Sequence, residues 1–373
     1  MKICCALLLA AAAASGQCFK IGEINAEKPE GQLLQQIGQE QDQAKRLALM
    51  DKFVADYPKH EAAGWVWEQM QAAYVKANEH DKTLAVSEKL VALSDACPEL
   101  AHQALKAAEA KKDADLVGKW AEITAGMAQK VMALPKPSDE DEAETWKARV
   151  DYARQVSTYT EYALYAAALQ TPDPQKRIAL VEALEKRNPK SEYLAQAYPV
   201  LFTAYRQVKA EDKALALAER VVAANPSDED MLLVVAGKYL QEKKEPEKVH
   251  AYCQKAAEIA AAKPKPAGVA DADWNRRKGL IVGAARFING SLYYSEGKLA
   301  EADKELREAL PHLEGNAAMK AEALYYLGFA NYKMQKPQEA ANYYKACGAI
   351  KSRFQAMANK NLAAIKSEYT GIR

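Results

Sequence analysis

Five histidines could bind a metal or carry a proton: His60, His80, His102, His250 and His312. None stands at ligand spacing from another His or from a Cys, so zinc is not expected. The six cysteines, Cys4, Cys5, Cys18, Cys97, Cys253 and Cys347, form no CxxC pair. The acidic run Asp139 to Glu144 contains no Gly, which a calcium loop needs at its sharp turn. It reads instead as the start of a helix, with Ser138 as N-cap and the acids beside the positive end of the helix dipole. HExxH, GxSxG, the P-loop and GxGxxG are absent. Glutamates are plentiful, but no pair is singled out as the acid and base of a glycosidase. The expectation is a protein that is not an enzyme, with no metal and no cofactor.

Aromatic residues are the remaining chemistry, and they act through contact. Nineteen tyrosines are present, and they concentrate. One group lies at Trp146, Tyr152, Tyr159, Tyr162 and Tyr165, at spacings of three and seven that share one side of a helix. Packing against neighbouring helices is the expected use of that group. A second group falls near the C-terminus, and its meaning depends on the elements that carry it.

Those elements are helices throughout. No stretch alternates apolar and polar residues with β-branched enrichment, and Ala, Leu, Glu, Lys and Gln dominate. Helical pairs are expected over about 30–58, 61–96 and 98–133. Pro135 and Pro137 break the third, and a long helix over about 140–170 pairs with one over 174–187 across Thr171-Pro172-Asp173-Pro174.

The segment Ala321 to Cys347 carries the clearest pattern: helix A to Met334, a turn over 335–337, then helix B. Leu324, Leu327, Gly328, Ala340, Tyr344 and Cys347 stand at large and small positions that resemble the tetratricopeptide repeat (TPR) family, here in exported bacterial proteins. Gly290 and Ala302 repeat the positions of Gly328 and Ala340, 38 residues earlier. Tyr205, Ala214 and Pro226 fit a third copy, and Leu232, Ala236 and Tyr239 a fourth, with one extra residue before Val249. Small residues at Gly328 and Ala340 let two helices approach, with Leu324 and Tyr344 filling the space beside the contact. The units are longer than the ~34 residues typical of the family.

The resemblance implies an all-α, right-handed superhelical solenoid of antiparallel helix pairs, TPR-like, with a C-terminal capping helix over about 354–369. The expected organisation is a signal peptide at 1–16, degenerate pairs at 17–134, the long-helix pair at 138–189, TPR-like repeats at 190–350 and a capping region at 351–373. It also implies a concave groove lined by the A helices. Phe287, Tyr294, Tyr325, Phe329 and Tyr332 would then form an aromatic shelf for a peptide or protein partner. The competing reading is that the capping helix, through Phe354 and Met357, folds over part of the shelf and makes it core. Tyr325 and Phe329 occupy positions where the family's carboxylate clamp uses Lys and Asn, so that activity is not implied.

Lys2, the apolar run Ile3 to Ala14 and the small residues Ala14-Ser15-Gly16 read as a secretory signal peptide, which places the mature chain in the periplasm or outside the cell. Gln17 before Cys18 argues against a lipobox and hence against a lipid anchor at Cys18. Lys plus Arg total 51 against 50 Asp plus Glu, and no basic stripe for nucleic acid is visible. A Cys18–Cys97 bridge is open in an oxidising compartment, whereas Cys253 and Cys347 lie two repeats apart, too far to meet. The expected function is a non-catalytic interaction scaffold of the cell envelope. The alternatives are a glycan-acting envelope enzyme and a lipid-anchored outer-membrane assembly factor.

Overall fold

The computed structural model describes residues 18–369. The leader read at 1–16 lies outside them, as do residues 370–373. Every regular element among the described residues is helical, and the chain divides into two compact units at Val208. That boundary falls inside the stretch read as one TPR-like block over 190–350.

The first unit holds α1 (Pro29–Gln39), α2 (Gln43–Asp56), α3 (Ala63–Lys76), α4 (His80–Leu93), α5 (Pro98–Ala110), α6 (Ala114–Met132), α7 (Glu140–Gln170), α8 (Pro174–Arg187) and α9 (Leu194–Gln207). Each helix packs on the next, and α3, α5, α7 and α9 also touch one another in sequence. That connectivity is the one short-looped helix pairs adopt when each unit buries its face only on its neighbours. The starts are written in the sequence. Proline opens α1, α5 and α8, where its missing N–H costs nothing. Asp42, Asp113 and Asp173 cap α2, α6 and α8. The cap of α7 is Asp139 rather than the expected Ser138: its carboxylate accepts from the Glu142 amide at 3.0 Å.

An extended strap precedes α1. Cys18 is bonded to Cys97, with the two Cα atoms 5.9 Å apart. The amides of Cys18 and Phe19 donate to the Glu68 carboxylate at 3.1 and 3.2 Å. The Phe19 ring lies on Gly64, where a Cβ would meet it at 2.4 Å.

The second unit holds α10 (Glu211–Ala224), α11 (Glu229–Glu242), α12 (Pro246–Ala262), α13 (Asp271–Ser295), α14 (Leu299–Ala309), a 3-10 turn at Leu310–His312, α15 (Ala317–Lys333), α16 (Pro337–Gly348) and α17 (Gln355–Glu368). Here α11, α13, α15 and α17 form the row of successive contacts. The small-residue logic holds at atomic distance. A Cβ on Gly290 would stand 2.6 Å from Leu306, and one on Gly328 would stand 2.7 Å from the Tyr344 ring. Asn331, fully buried, donates to the Leu327 carbonyl at 2.9 Å and accepts from Arg307 at 3.1 Å. Arg307 is also bonded to Asp303 at 2.8 Å and to Glu339, which ties α14, α15 and α16 together. Cys253 and Cys347 are free and buried, as expected.

The turns after α3, α5, α11, α13 and α15 share a left-handed residue. In the first unit Asn78 and Lys112 take φ of 56° and 54°. In the second, Lys243, Gly297 and Gln335 take 54°, 75° and 60°. Each reverses the chain, and after α3 and α15 the following amide reaches back to the third-last helical carbonyl in a Schellman motif, Glu79 to Tyr74 and Lys336 to Asn331. The extra residue before Val249 is Glu245, a second left-handed residue at φ 49°.

Candidate functional site: aromatic faces of the A helices

In the second unit the five shelf residues do not stay together. Phe287 is 8% exposed and belongs to the core with Ile288, Leu292 and Leu306. Tyr325 stacks on Phe354 at 5.0 Å, and the Tyr332 hydroxyl donates to Glu368 on α17 at 2.8 Å. Both rings pack against the C-terminal core, so α17 and the segment before it cover this end of the shelf. Phe354 does the covering, while Met357 points to solvent. Tyr294 and Phe329 remain as a half-buried pair at 5.4 Å, and Tyr326, which the sequence pattern did not mark, stacks on Tyr294 at 4.1 Å. Tyr326 donates to Glu322 at 2.7 Å, and Arg353 binds the same carboxylate at 2.9 Å. Burial first, then that carboxylate, pushes the Tyr326 hydroxyl well above the usual phenol range.

The first unit carries the longer aromatic array. It runs over α5, α7 and the start of α9, and α7 touches both of the others. His102 on α5 lies 5.0 Å from Tyr159, Tyr159 lies 6.1 Å from Tyr162, and Tyr162 lies 5.8 Å from Tyr193. Tyr193 also stacks on Tyr165 at 5.7 Å. The polar tips are fastened across the same helices. Tyr152 shares a 2.9 Å hydrogen bond with His102 Nδ1, Tyr159 donates to Glu109 at 2.7 Å, and Tyr165 donates to Gln196 at 3.0 Å. Trp146, the fifth residue of the group, is fastened at the helix start instead, donating to the Leu134 carbonyl at 3.0 Å.

This array is neither all core nor all surface. Tyr162 is 45% exposed, and Leu169, seven residues along the same helix face, is 48% exposed. Beside them opens a pocket of about 480 Å³. Tyr159 and Tyr162 wall it, Ala163, Ala166 and Ala167 give it room, and Glu109 is the only acid lining it.

Burial governs the titration of the array. His102 is pushed down to about 4 by desolvation and then by Lys106, so its imidazole is neutral near pH 7. Its Nε2 is buried without a hydrogen-bond partner. Tyr152 is pushed up to about 12, first by burial and then by Glu99. Glu109 is raised by desolvation, which outweighs the opposing pull of Tyr159 and Lys106. The sequence marked Tyr152 to Tyr165 but not their partners His102, Glu109 and Tyr193. The repeat resemblance is weak over 30–190, where Trp67 and Tyr74 suit a helix A but the following helix does not keep register, so nothing linked residues on different A helices.

Among the described residues no cluster of three or more His, Cys, Asp or Glu could hold a metal ion. No described helix is long and apolar enough to cross a membrane.

No protein-family model matches this chain, and no curated protein does. Solved structures do match. The TPR domain of P58(IPK) aligns at 11% identity over 92% of this chain and 97% of its own, with a TM-score of 0.32. Yeast Tom70 aligns at 11% identity over 92% and 97%, with a TM-score of 0.25. The Naa15/Naa10 complex bound to HypK aligns at 13% identity over 91% and 61%, with a TM-score of 0.20. At such TM-scores these likenesses carry no argument, and the all-helical, pair-by-pair fold stands on the chain's own helix order and contacts.

Proposed function

We propose that this chain is a non-catalytic interaction scaffold of the cell envelope. It binds an extended peptide or a protein partner along the A-helix face of its first unit. The observation that carries this reading is the aromatic array His102–Tyr159–Tyr162–Tyr193–Tyr165, shared by three successive helices and left partly open at Tyr162 and Leu169. Tyrosine rings supply large contact area at small entropic cost, and the hydroxyls of Tyr159 and Tyr165 are already anchored, which preorganises part of the face. The half-buried Tyr294–Tyr326–Phe329 group is a secondary candidate in the second unit.

The envelope assignment rests on the leader read at 1–16, and the Cys18–Cys97 bridge supports an oxidising compartment. A bridged Cys18 has no sulfur left for a lipid, which weighs against the lipid-anchored alternative. The glycan-acting alternative needs two facing carboxylates, and the pocket beside Tyr162 has only Glu109 on its wall.

The test is site-specific photocrosslinking in the source cell. Benzoylphenylalanine replaces Tyr162 in one variant and Met357, on the exposed side of α17, in another. A discrete adduct at 162 that is absent at 357 is the expected result. Adducts at neither position, or equal adducts at both, would overturn the assignment of the face.

A further inference from the structure

The geometry points to the pocket between α5, α6 and α7 as a receptor for one cationic side chain, an arginine or lysine of the partner. This deepens the proposed function and rests on it. The pocket has the parts such a side chain needs. Ala163, Ala166 and Ala167 on α7 present methyl groups where longer side chains would fill the space, leaving room for an aliphatic arm. Tyr159 and Tyr162 line one wall, and an aromatic ring attracts a cation over its face through the ring quadrupole. Glu109, a half-buried lining residue, supplies the charge. Its side-chain hydrogen bond comes from the Tyr159 hydroxyl, a neutral donor.

A carboxylate at this depth is under-compensated. Glu109 is raised by desolvation despite Lys106 one turn away, so an added cation would restore stabilisation that burial removed. Other occupants fit less well. An acidic side chain would meet Glu109 at like charge, and a plain aliphatic one would bury that carboxylate further without pairing it. Lys112, which is exposed, is the only basic residue lining the pocket. It lies in the left-handed turn after α5, on a side chain long enough to swing into solvent.

The test uses short capped peptides and the full chain with methyl-labelled alanine. Acetyl-glycyl-arginyl-glycine amide is titrated while the methyl signals of Ala163, Ala166 and Ala167 are followed by NMR. The norleucine and glutamate analogues serve as comparison. The arginine peptide is expected to move those three signals, with the glutamate peptide inert. Glu109→Gln should weaken arginine binding about tenfold, the size of a lost charge-assisted hydrogen bond. Alanine signals away from the pocket report whether that variant is still folded. Tyr162→Ala, which leaves the carboxylate in place, should weaken binding about fivefold through the lost ring face. Norleucine binding as well as arginine, or a Glu109→Gln variant that is folded and binds arginine unchanged, would overturn the proposal. So would the absence of any shift at the three alanines. Crosslinking at position 162 is read independently: an adduct there with a failed titration would leave the binding face standing and remove only the cationic ligand.

Discussion

Replacing Gly328 by Ala tests the packing rule on which the helix pairs rest. In an isolated helix this change is favourable, by about 1 kcal/mol, because Gly has more backbone freedom to lose. Here the added Cβ would lie 2.7 Å from Cδ1 and Cε1 and 3.0 Å from Cγ of Tyr344. That ring cannot step aside easily. It is 2% exposed, sits 5.7 Å from Tyr325 and is buried with Phe354 in the C-terminal core. Overpacking of this kind costs about 1–3 kcal/mol, so after the helix gain the net expectation is a loss of up to about 2 kcal/mol. Gly126 in α6 is the control, because nothing lies within 4 Å of its built Cβ. Gly126→Ala should stabilise its helix by about 0.5–1 kcal/mol. Hydrogen exchange of the α15 and α16 amides reads the first change locally, and a loss of up to about 2 kcal/mol means up to about 30-fold faster exchange there. A Tyr344→Leu change in the same chain should relieve much of the penalty, since the two sites share one contact. If Gly328→Ala slows exchange as Gly126→Ala does in α6, the close approach is absent and the repeat alignment at Gly290 and Gly328 loses its physical basis.

Two further outcomes are expected. His102, whose folded value lies near 4 against 6.5 in the open chain, stays neutral in the fold. A base depressed in this way leaves stability complete above the unfolded value and drains it as pH falls from about 6.5 to 4. The ceiling is about 3 kcal/mol, and about 2 kcal/mol is expected once partial solvent screening is allowed for. NMR titration of its ring should give a midpoint below 5, and a midpoint near 6.5 would sink the account of its burial. The Cys18–Cys97 bridge closes a loop with a sequence separation of 79, worth ~4 kcal/mol in the chain-entropy model. In a chain starting at Gln17, alkylation of the unfolded, unreduced protein should label Cys253 and Cys347 alone, and labelling of all four thiols would remove the bridge.

How much of this was legible in the sequence depends on the range of the forces involved. The bounds of α7 and α8 were readable because Pro135, Pro137 and Pro172 break helix locally, while Pro174 suits the first turn of the helix it opens. The close approach at Gly328 was readable because one missing Cβ fixes a distance. The turn over 335–337 was readable, but the left-handed backbone at Lys112, Lys243 and Gln335 was not, since the sequence announces such a conformation only at Gly297. The bond between Cys18 and Cys97 was readable only as an option, because nothing local brings the strap back to α3 and α5.

The binding faces lie at the far end of that scale. A tyrosine on an amphipathic helix declares which side of the helix it occupies, not what the next helix lays over it. At Tyr325 and Tyr332 the cover is α17, and the side chains that the sequence offered as a groove became part of a wall. At Tyr159 and Tyr162 the neighbours on the same helix are Ala163, Ala166 and Ala167, too short to close over them. Contact surface in this fold is therefore set as much by the small residues beside an aromatic ring as by the ring itself. Enlarging Ala166 to Leu should close the pocket from within while leaving every tyrosine in place.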